Sequence, residues 1–154
     1  MVMAMDVEMA PARLRRLASW LLGQASLEAQ RVGSAKLGAV GASRQQYALL
    51  AALEETGAAS QADLGRRLGV DPGDMVRLVA AMATSGWLGR SRDPVDRRRR
   101  LVTITAAGRR RLRRLDGVVA EIQDELLAPL TSDERRNVTG LLSKIVQHRH
   151  VQRD

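Results

Sequence analysis

The sequence predicts a mainly helical chain carrying one small β-hairpin, and three observations support that expectation. Apolar residues recur at helical spacing along most of the chain, in segments that open on Ser, Thr or Asp and close on Gly or Pro. Hydrophobic residues make up 45% of the 154 positions, yet aromatics make up only 2% and Phe is absent. The core must therefore be built from Leu, Val, Ala and Met, which suits helices meeting along aliphatic faces. A single stretch, Leu88 to Gly108, abandons helical spacing for β-branched residues around an arginine-rich loop.

Taken in order, a first helix is expected from Pro11 to about Val32, with Leu14, Leu17, Ala18, Leu21, Leu22 and Ala25 on one stripe. Gly33-Ser34 and Gly38 to Gly41 should end it. Ser43 is placed to cap a second helix carrying Tyr47, Leu49, Leu50 and Leu53, which Gly57 stops. Ser60-Gln61-Ala62-Asp63 resembles a capping box with Asp in place of Glu, and opens a short helix with Leu64 and Leu68 inward, ending at Gly69. Asp71 then caps another helix whose first position is Pro72, where a missing N–H costs nothing. Met75, Leu78, Val79 and Met82 form its buried face, and Gly86 ends it. Helix, short turn and helix in this arrangement make a helix-turn-helix, whose second helix enters the DNA major groove with Gly73, Asp74, Arg77 and Ala81 outward.

The hairpin follows at once. Leu88 to Arg92 and Leu101 to Ile104 supply its strands, and Asp93-Pro94 marks a turn, because proline fixes its own φ and pushes the preceding residue out of helix. Arg97, Arg98, Arg99 and Arg100 fall at or near the tip. Four adjacent guanidiniums repel one another, so they are expected to face water or a polyanion. Thr105 caps a long helix with Leu112, Leu115, Val119, Ile122 and Leu126 on its apolar face, terminated by Pro129. Thr131-Ser132-Asp133-Glu134 is a capping box for a last helix bearing Val138, Leu141, Leu142, Ile145 and Val146.

The charge is concentrated. Arg90 to Arg114 holds eleven arginines against Asp93 and Asp96, a net of +9 in a chain whose total is +8. Such clustering is the footprint of nucleic-acid binding rather than of a generally solubilising charge, although a solvated basic surface or a membrane-surface patch would share it. There are no cysteines, which removes disulfides, thiolate metal sites and thiol redox chemistry. No apolar run approaches the roughly 18 to 20 residues of a membrane span, and MVMAMDVEMA lacks the pattern of a signal peptide. A cytoplasmic protein without a membrane partner is expected. The two histidines, His148 and His150, stand at i and i+2, poor spacing for a shared metal, and no P-loop, nucleophile elbow or dinucleotide fingerprint occurs. An enzyme, a metal site or a cofactor is therefore not expected.

Two stretches, LGVDPGDMVRLVAAMATSGWLGR and DPVDRRRRLVTITAAG, carry a resemblance to the MarR family of winged helix-turn-helix transcriptional regulators. The second is the more specific, since it matches the family's wing signature, and the likeness extends over about residues 11 to 148. The resemblance implies that Arg98 enters the minor groove, with Asp96 bracing the wing beside the basic Arg97, and that Arg77 contacts bases or phosphate. A guanidinium suits a narrow, electronegative minor groove and can also take guanine O6 and N7 in the major groove. The DNA-contacting set is accordingly read as Ser60, Gln61, Asp74, Arg77, Arg90, Arg97, Arg98 and Arg99. Gly73 and Asp74 depart from the Ser and Thr common in the family. Asp74 either caps its own helix, the favoured reading, or accepts from a cytosine amino group, and Arg99 with Arg100 adds charge beyond the usual pattern.

The resemblance also implies a homodimer on a pseudo-palindromic site of double-stranded DNA, and two long terminal helices with uncovered apolar stripes point the same way. The chain would then be one domain over 1–154, with dimerisation helices at about 10–36 and 106–152 around a DNA-binding region at about 43–105. Relatives are commonly released from DNA by a small, often aromatic and anionic effector. Arg15, Arg16, Trp20, Arg44 and Tyr47 are the candidates to hold one, with Arg16 and Trp20 at i and i+4 sharing a helical face. The alternative is that Trp20 packs in an interface and the arginines are solvated. Besides a ligand-released repressor, a winged-helix protein-interaction module and a non-specific nucleic-acid-coating protein stay open as functions.

Overall fold

The computed structural model describes residues 7–151, with side chains as far as His148. After a turn of 3-10 helix at Val7–Met9 come α1 (Ala12–Arg15), α2 (Ala18–Ala39), α3 (Arg44–Thr56), α4 (Gln61–Leu68) and α5 (Pro72–Thr84). The hairpin β1 (Leu88–Arg92) and β2 (Arg100–Ile104) follows, then α6 (Ala106–Leu126) and α7 (Ser132–Val151). This is the mainly helical architecture with one hairpin that the sequence predicts.

The caps explain why the helices start where they do. The Ser43 hydroxyl accepts from the Gln46 N–H at 3.2 Å while the Gln46 side chain accepts from Ser43 N–H, a complete capping box for α3. Asp71 accepts from Gly73 N–H at 2.8 Å, with Pro72 at the first helical position of α5. Thr131 and Glu134 close a reciprocal box at the start of α7. In the turn between α4 and α5, Gly69 takes φ +62, a left-handed cap that favours glycine.

The core lies where α3, α4, α5 and α6 meet. Leu49, Leu50, Leu53, Leu64, Met75, Val79, Met82 and Leu115 are fully buried there, and Leu88, Val102 and Ile104 bring the inner face of the hairpin onto the same cluster. The strands pair antiparallel, Leu88 opposite Ile104 and Arg92 opposite Arg100. A further bridge ties the hairpin down: Val102 N–H donates to Ala59 O at 2.8 Å and Ala59 N–H to Val102 O at 3.1 Å.

The first predicted helix is corrected in two ways. It breaks at Arg16 and Leu17, where Leu17 is extended at φ −92, ψ 117, and it runs on through Gly33-Ser34 and Gly38 to Ala39. Two glycines cost a helix about 1 kcal/mol each, but Val32 and Leu37 are 3% exposed against α6, and that burial outweighs the local cost. The outer stripe of α2 remains uncovered at Leu17, Leu21 and Leu22, as do Leu141, Leu142, Ile145 and Val146 of α7. Helix α7 is held mainly at its base, where Arg135 donates to Leu127 O and Leu130 O and pairs with Asp124 at 2.8 Å.

Candidate nucleic-acid interface

The wing tip is shaped by its aspartates. Asp93 accepts from Val95 N–H at 2.8 Å and Asp96 from Arg98 N–H at 3.0 Å, turns in which a carboxylate replaces a backbone acceptor. Asp93 N–H donates to Arg99 O and Arg99 N–H to Asp96 O, both at 2.9 Å, closing the loop. Arg97 and Arg98 project from it, exposed. Among the described residues neither guanidinium is in an ion pair, nor are those of Arg90, Arg92 and Arg100. Arg92 and Arg100 sit directly opposite each other where the strands enter the loop, an arrangement that repulsion destabilises until an anion intervenes.

Arg99 departs from the expectation for the run. Its guanidinium turns back to Asp63 of α4 and donates to the Ser60 hydroxyl at 3.3 Å. The reason is reach: Ser60 and Asp63 lie just below the loop, and Asp63 also holds Arg66. Hydrogen bonding from Ser60, then the nearby Arg99 and Arg66, keep the Asp63 carboxyl below the usual carboxylate range. Arg99 thus straps the wing to the helix-turn-helix. Ser60 is corrected likewise. At 7% exposure, with its hydroxyl taken by Asp63 and Arg99, it works as a cap and not as a surface contact. Gln61 is half-buried beside it and lines a cleft between α4 and α5.

On α5, Asp74 does not cap its helix, because Asp71 already does; it pairs instead with Arg77 one turn on, both side chains exposed. The α6 arginines were counted with the wing in the sequence, but the structure employs them differently. Arg109 pairs with Glu54 at 3.1 Å. Arg111 donates to Val40 O at 2.6 Å and Gly41 O at 3.1 Å, closing the end of α2, and its guanidinium lies 4.8 Å from the Trp87 ring centroid. Burial, with Arg114 nearby, lowers its pKa. The joint between wing and α6 is tight: Thr105 donates to Gly86 O at 2.6 Å and accepts from Gly108 N–H at 3.0 Å. A Cβ at Gly108 would stand 2.2 Å from Trp87 O, so only glycine fits.

Of the candidate effector residues, the structure brings Arg44 and Tyr47 together on a pocket of about 630 Å³ between α2, α3 and α6, with Leu37, Leu68, Val119 and Ile122 among its walls. Tyr47 donates to Asp116 at 3.1 Å, and burial followed by that bond raises its pKa. Arg15, Arg16 and Trp20 do not line the pocket. Arg16 and Trp20 share no helical face, since the chain breaks between them. Sequence reasoning missed Asp63 and Arg111; the capping box marked Asp63 as ordered, but nothing local marked Arg99 as its partner. His148 is exposed, and His150 lies outside the residues whose side chains are described.

A helix-turn-helix followed by a strapped two-stranded wing with arginines at its tip defines the winged helix-turn-helix class. A family model described as the MarR family matches residues 42–99. The chain is similar to an uncharacterised HTH-type transcriptional regulator, YdgJ, of Bacillus subtilis, 29% identical over 105 residues, which cover 68% of this chain and 64% of that one. It therefore spans a little under two thirds of that relative. Among solved structures it is similar to a probable transcriptional regulator from Pseudomonas aeruginosa, 33% identical with a TM-score of 0.75, covering 86% of this chain and 99% of that one. It is also similar to the PcaV transcriptional regulator from Streptomyces coelicolor in complex with its natural ligand, 27% identical with a TM-score of 0.72, covering 90% and 98% of the two chains. The chain belongs to the MarR family.

Proposed function

We propose that this chain is a homodimeric transcriptional regulator that binds a pseudo-palindromic site on double-stranded DNA, acts as a repressor, and is released by a small aromatic anion. The wing tip carries the DNA reading: Arg97 and Arg98 stand on a loop that two aspartates hold in shape, neither guanidinium in an ion pair, next to a helix-turn-helix whose α5 has an exposed face. A loop ordered in advance loses little entropy on meeting a phosphate backbone or minor groove. Of the residues proposed for contact, Gln61, Asp74, Arg77, Arg90, Arg97 and Arg98 remain, with Arg99 and Ser60 behind them as supports.

The dimer reading is supported by the outer stripe of α2 and by α7, whose aliphatic residues are 39 to 60% exposed at Leu141, Leu142, Ile145 and Val146. A second copy would cover both and set two α5 helices about one DNA turn apart. The whole chain, 1–154, would then be one domain, its terminal helices pairing subunits. The effector reading is supported by the pocket at Tyr47, which is mostly apolar with Arg44 among its lining residues; a flat apolar ring with one carboxylate fits that lining.

Binding of the full chain to a selected and a scrambled duplex across a salt series tests the function. A preference of at least about 10³ for one site at physiological salt is the regulator's behaviour. Equal affinity for every duplex would make it a coating protein, and no binding a protein-interaction module. Phenolic carboxylates should release the selected duplex, and Arg44→Ala should blunt that release; no release by any of them would overturn the effector reading.

A further inference from the structure

We infer that the pocket at Tyr47 continues into a second chamber at Asp116, and that the two together take an aromatic carboxylate that also carries a protonated amine. This rests on the effector reading above for the carboxylate at Arg44, and adds the ligand's second charged group. The first chamber is the cavity of about 630 Å³ already described; the second, of about 460 Å³, lies beside it between α3 and α6. As α3 advances from Arg44 to Glu55, the lining on α6 runs back from Leu126 to Leu112. The chambers therefore lie end to end along one trough, and Ala48 and Leu68 line both. Tyr47 belongs to the first and Asp116 to the second, and the 3.1 Å hydrogen bond from the Tyr47 hydroxyl to Asp116 crosses the boundary.

The trough carries two charges of opposite sign that the fold leaves uncompensated. Arg44, in the first chamber, is in no ion pair among the described residues. In the second chamber Glu54 pairs with Arg109 and Glu55 with Arg67. Asp116 differs: among the described residues it is in no ion pair and accepts only from Tyr47. A carboxylate offers about four lone-pair sites, so Asp116 has room for an ammonium without letting go of the phenol. The lining between the two charges is apolar, with Ala48, Leu68 and Val119, and suits a flat ring. A plain aromatic carboxylate answers Arg44 alone. An alkyl tail laid over Asp116 strips water from a charge and returns no hydrogen bond, whereas an ammonium returns one. A second carboxylate at that place would face Asp116, Glu54 and Glu55 together, and like charges repel.

The test uses the full chain and two series of 4-substituted benzoates. In one series the ring carries an amine on a short methylene arm of increasing length; in the other a methyl group replaces the amine at matched length. Calorimetry reads affinity, and release of a selected duplex reads the effector response. At the best-fitting length the amine should bind about 3- to 10-fold more tightly than its alkyl counterpart, between the worth of an exposed ion pair and that of a charged hydrogen bond. Asp116→Asn should reverse that order, while its amide oxygen still accepts from Tyr47. Tyr47→Phe, which removes a competing donor, should widen the amine's lead. Each preference is a ratio measured on one protein, so partial unfolding of a variant cancels. Equal affinity at every length in wild type, or an amine preference that survives Asp116→Asn, would overturn the inference; release by the alkyl series would still uphold the effector reading. An amine preference that Asp116→Asn abolishes, with no release of the duplex by either series, would overturn the effector reading and leave the binding site standing. No binding by either series would overturn both.

Discussion

Two parts of one arginine-rich segment look alike in the sequence and do opposite things in the fold. At the wing tip, the guanidiniums of Arg97 and Arg98 are in no ion pair among the described residues and stand in water. One helix turn into α6, Arg109 is spent on Glu54 and Arg111 on two carbonyls and an indole face. Arg99 stands between the two groups, on the wing by position but tied to Asp63. The side chains are chemically identical, so the difference comes from what lies within their reach. A guanidinium near the last carbonyls of a helix will close it, as Arg111 does for α2, whereas a guanidinium at the end of a hairpin finds none. A run of positive charge therefore overstates the surface available to a polyanion.

The contrast can be broken at its hinge, along either arm, or at the strap between them. The largest effect is expected at the hinge: Gly108→Ala forces a Cβ into Trp87 O and Ile104 Cγ1, at 2.2 and 2.8 Å. It should cost about 3 kcal/mol of stability in urea unfolding, and an unchanged midpoint would mean that α6 starts elsewhere. Next, Arg111→Ala strips donors from Val40 O and Gly41 O and uncovers Trp87, for a loss of about 1 to 3 kcal/mol of stability. DNA affinity per folded molecule should hardly move; a large loss of affinity with unchanged unfolding would place Arg111 with the tip. Arg98→Ala reverses that pattern. It should weaken DNA binding by about 1 to 3 kcal/mol and flatten the salt dependence by about one phosphate's worth, while leaving the unfolding curve alone.

The smallest effect is a pH dependence at the strap. The folded-state pKa of Asp63 is depressed, so its contribution is present above the unfolded carboxylate value and is lost as pH falls through the lower folded value. In a carboxyl-detected NMR titration, Asp63 should therefore titrate below its ordinary value of 3.8. Arg99→Ala should move it back up, and a midpoint that ignores Arg99 would show the strap to be absent in solution.

How far the sequence could be read follows from the range of the interactions involved. Ser43, Asp71, Thr105 and Thr131 act within three residues of themselves, and each caps the helix expected of it. The hairpin pairs Leu88–Arg92 with Arg100–Ile104 on either side of the Asp-Pro turn, as its β-branched second strand and that turn suggest. What misled was always a matter of distance or competition. The glycines near residue 33 read as a stop because the packing of α2 on α6 that overrides them involves residues some eighty positions away in the chain. Ser60 and Arg99 read as surface because their contact spans 39 residues, and Arg16 with Trp20 read as one face because the break at Leu17 has no proline or glycine to announce it.

The sequence by itself determined the order of elements, the helix caps, the aliphatic core and the placing of arginines at a turn, since each depends on backbone preference or on neighbours a turn away. Only the tertiary structure decided which of those arginines are free, which acid straps the wing, and that Arg44 and Tyr47 share a cavity while Arg16 and Trp20 do not. The physical reason is that a long flexible cation goes to whichever acceptor folding brings within hydrogen-bonding distance, and that distance exists only once the chain has packed.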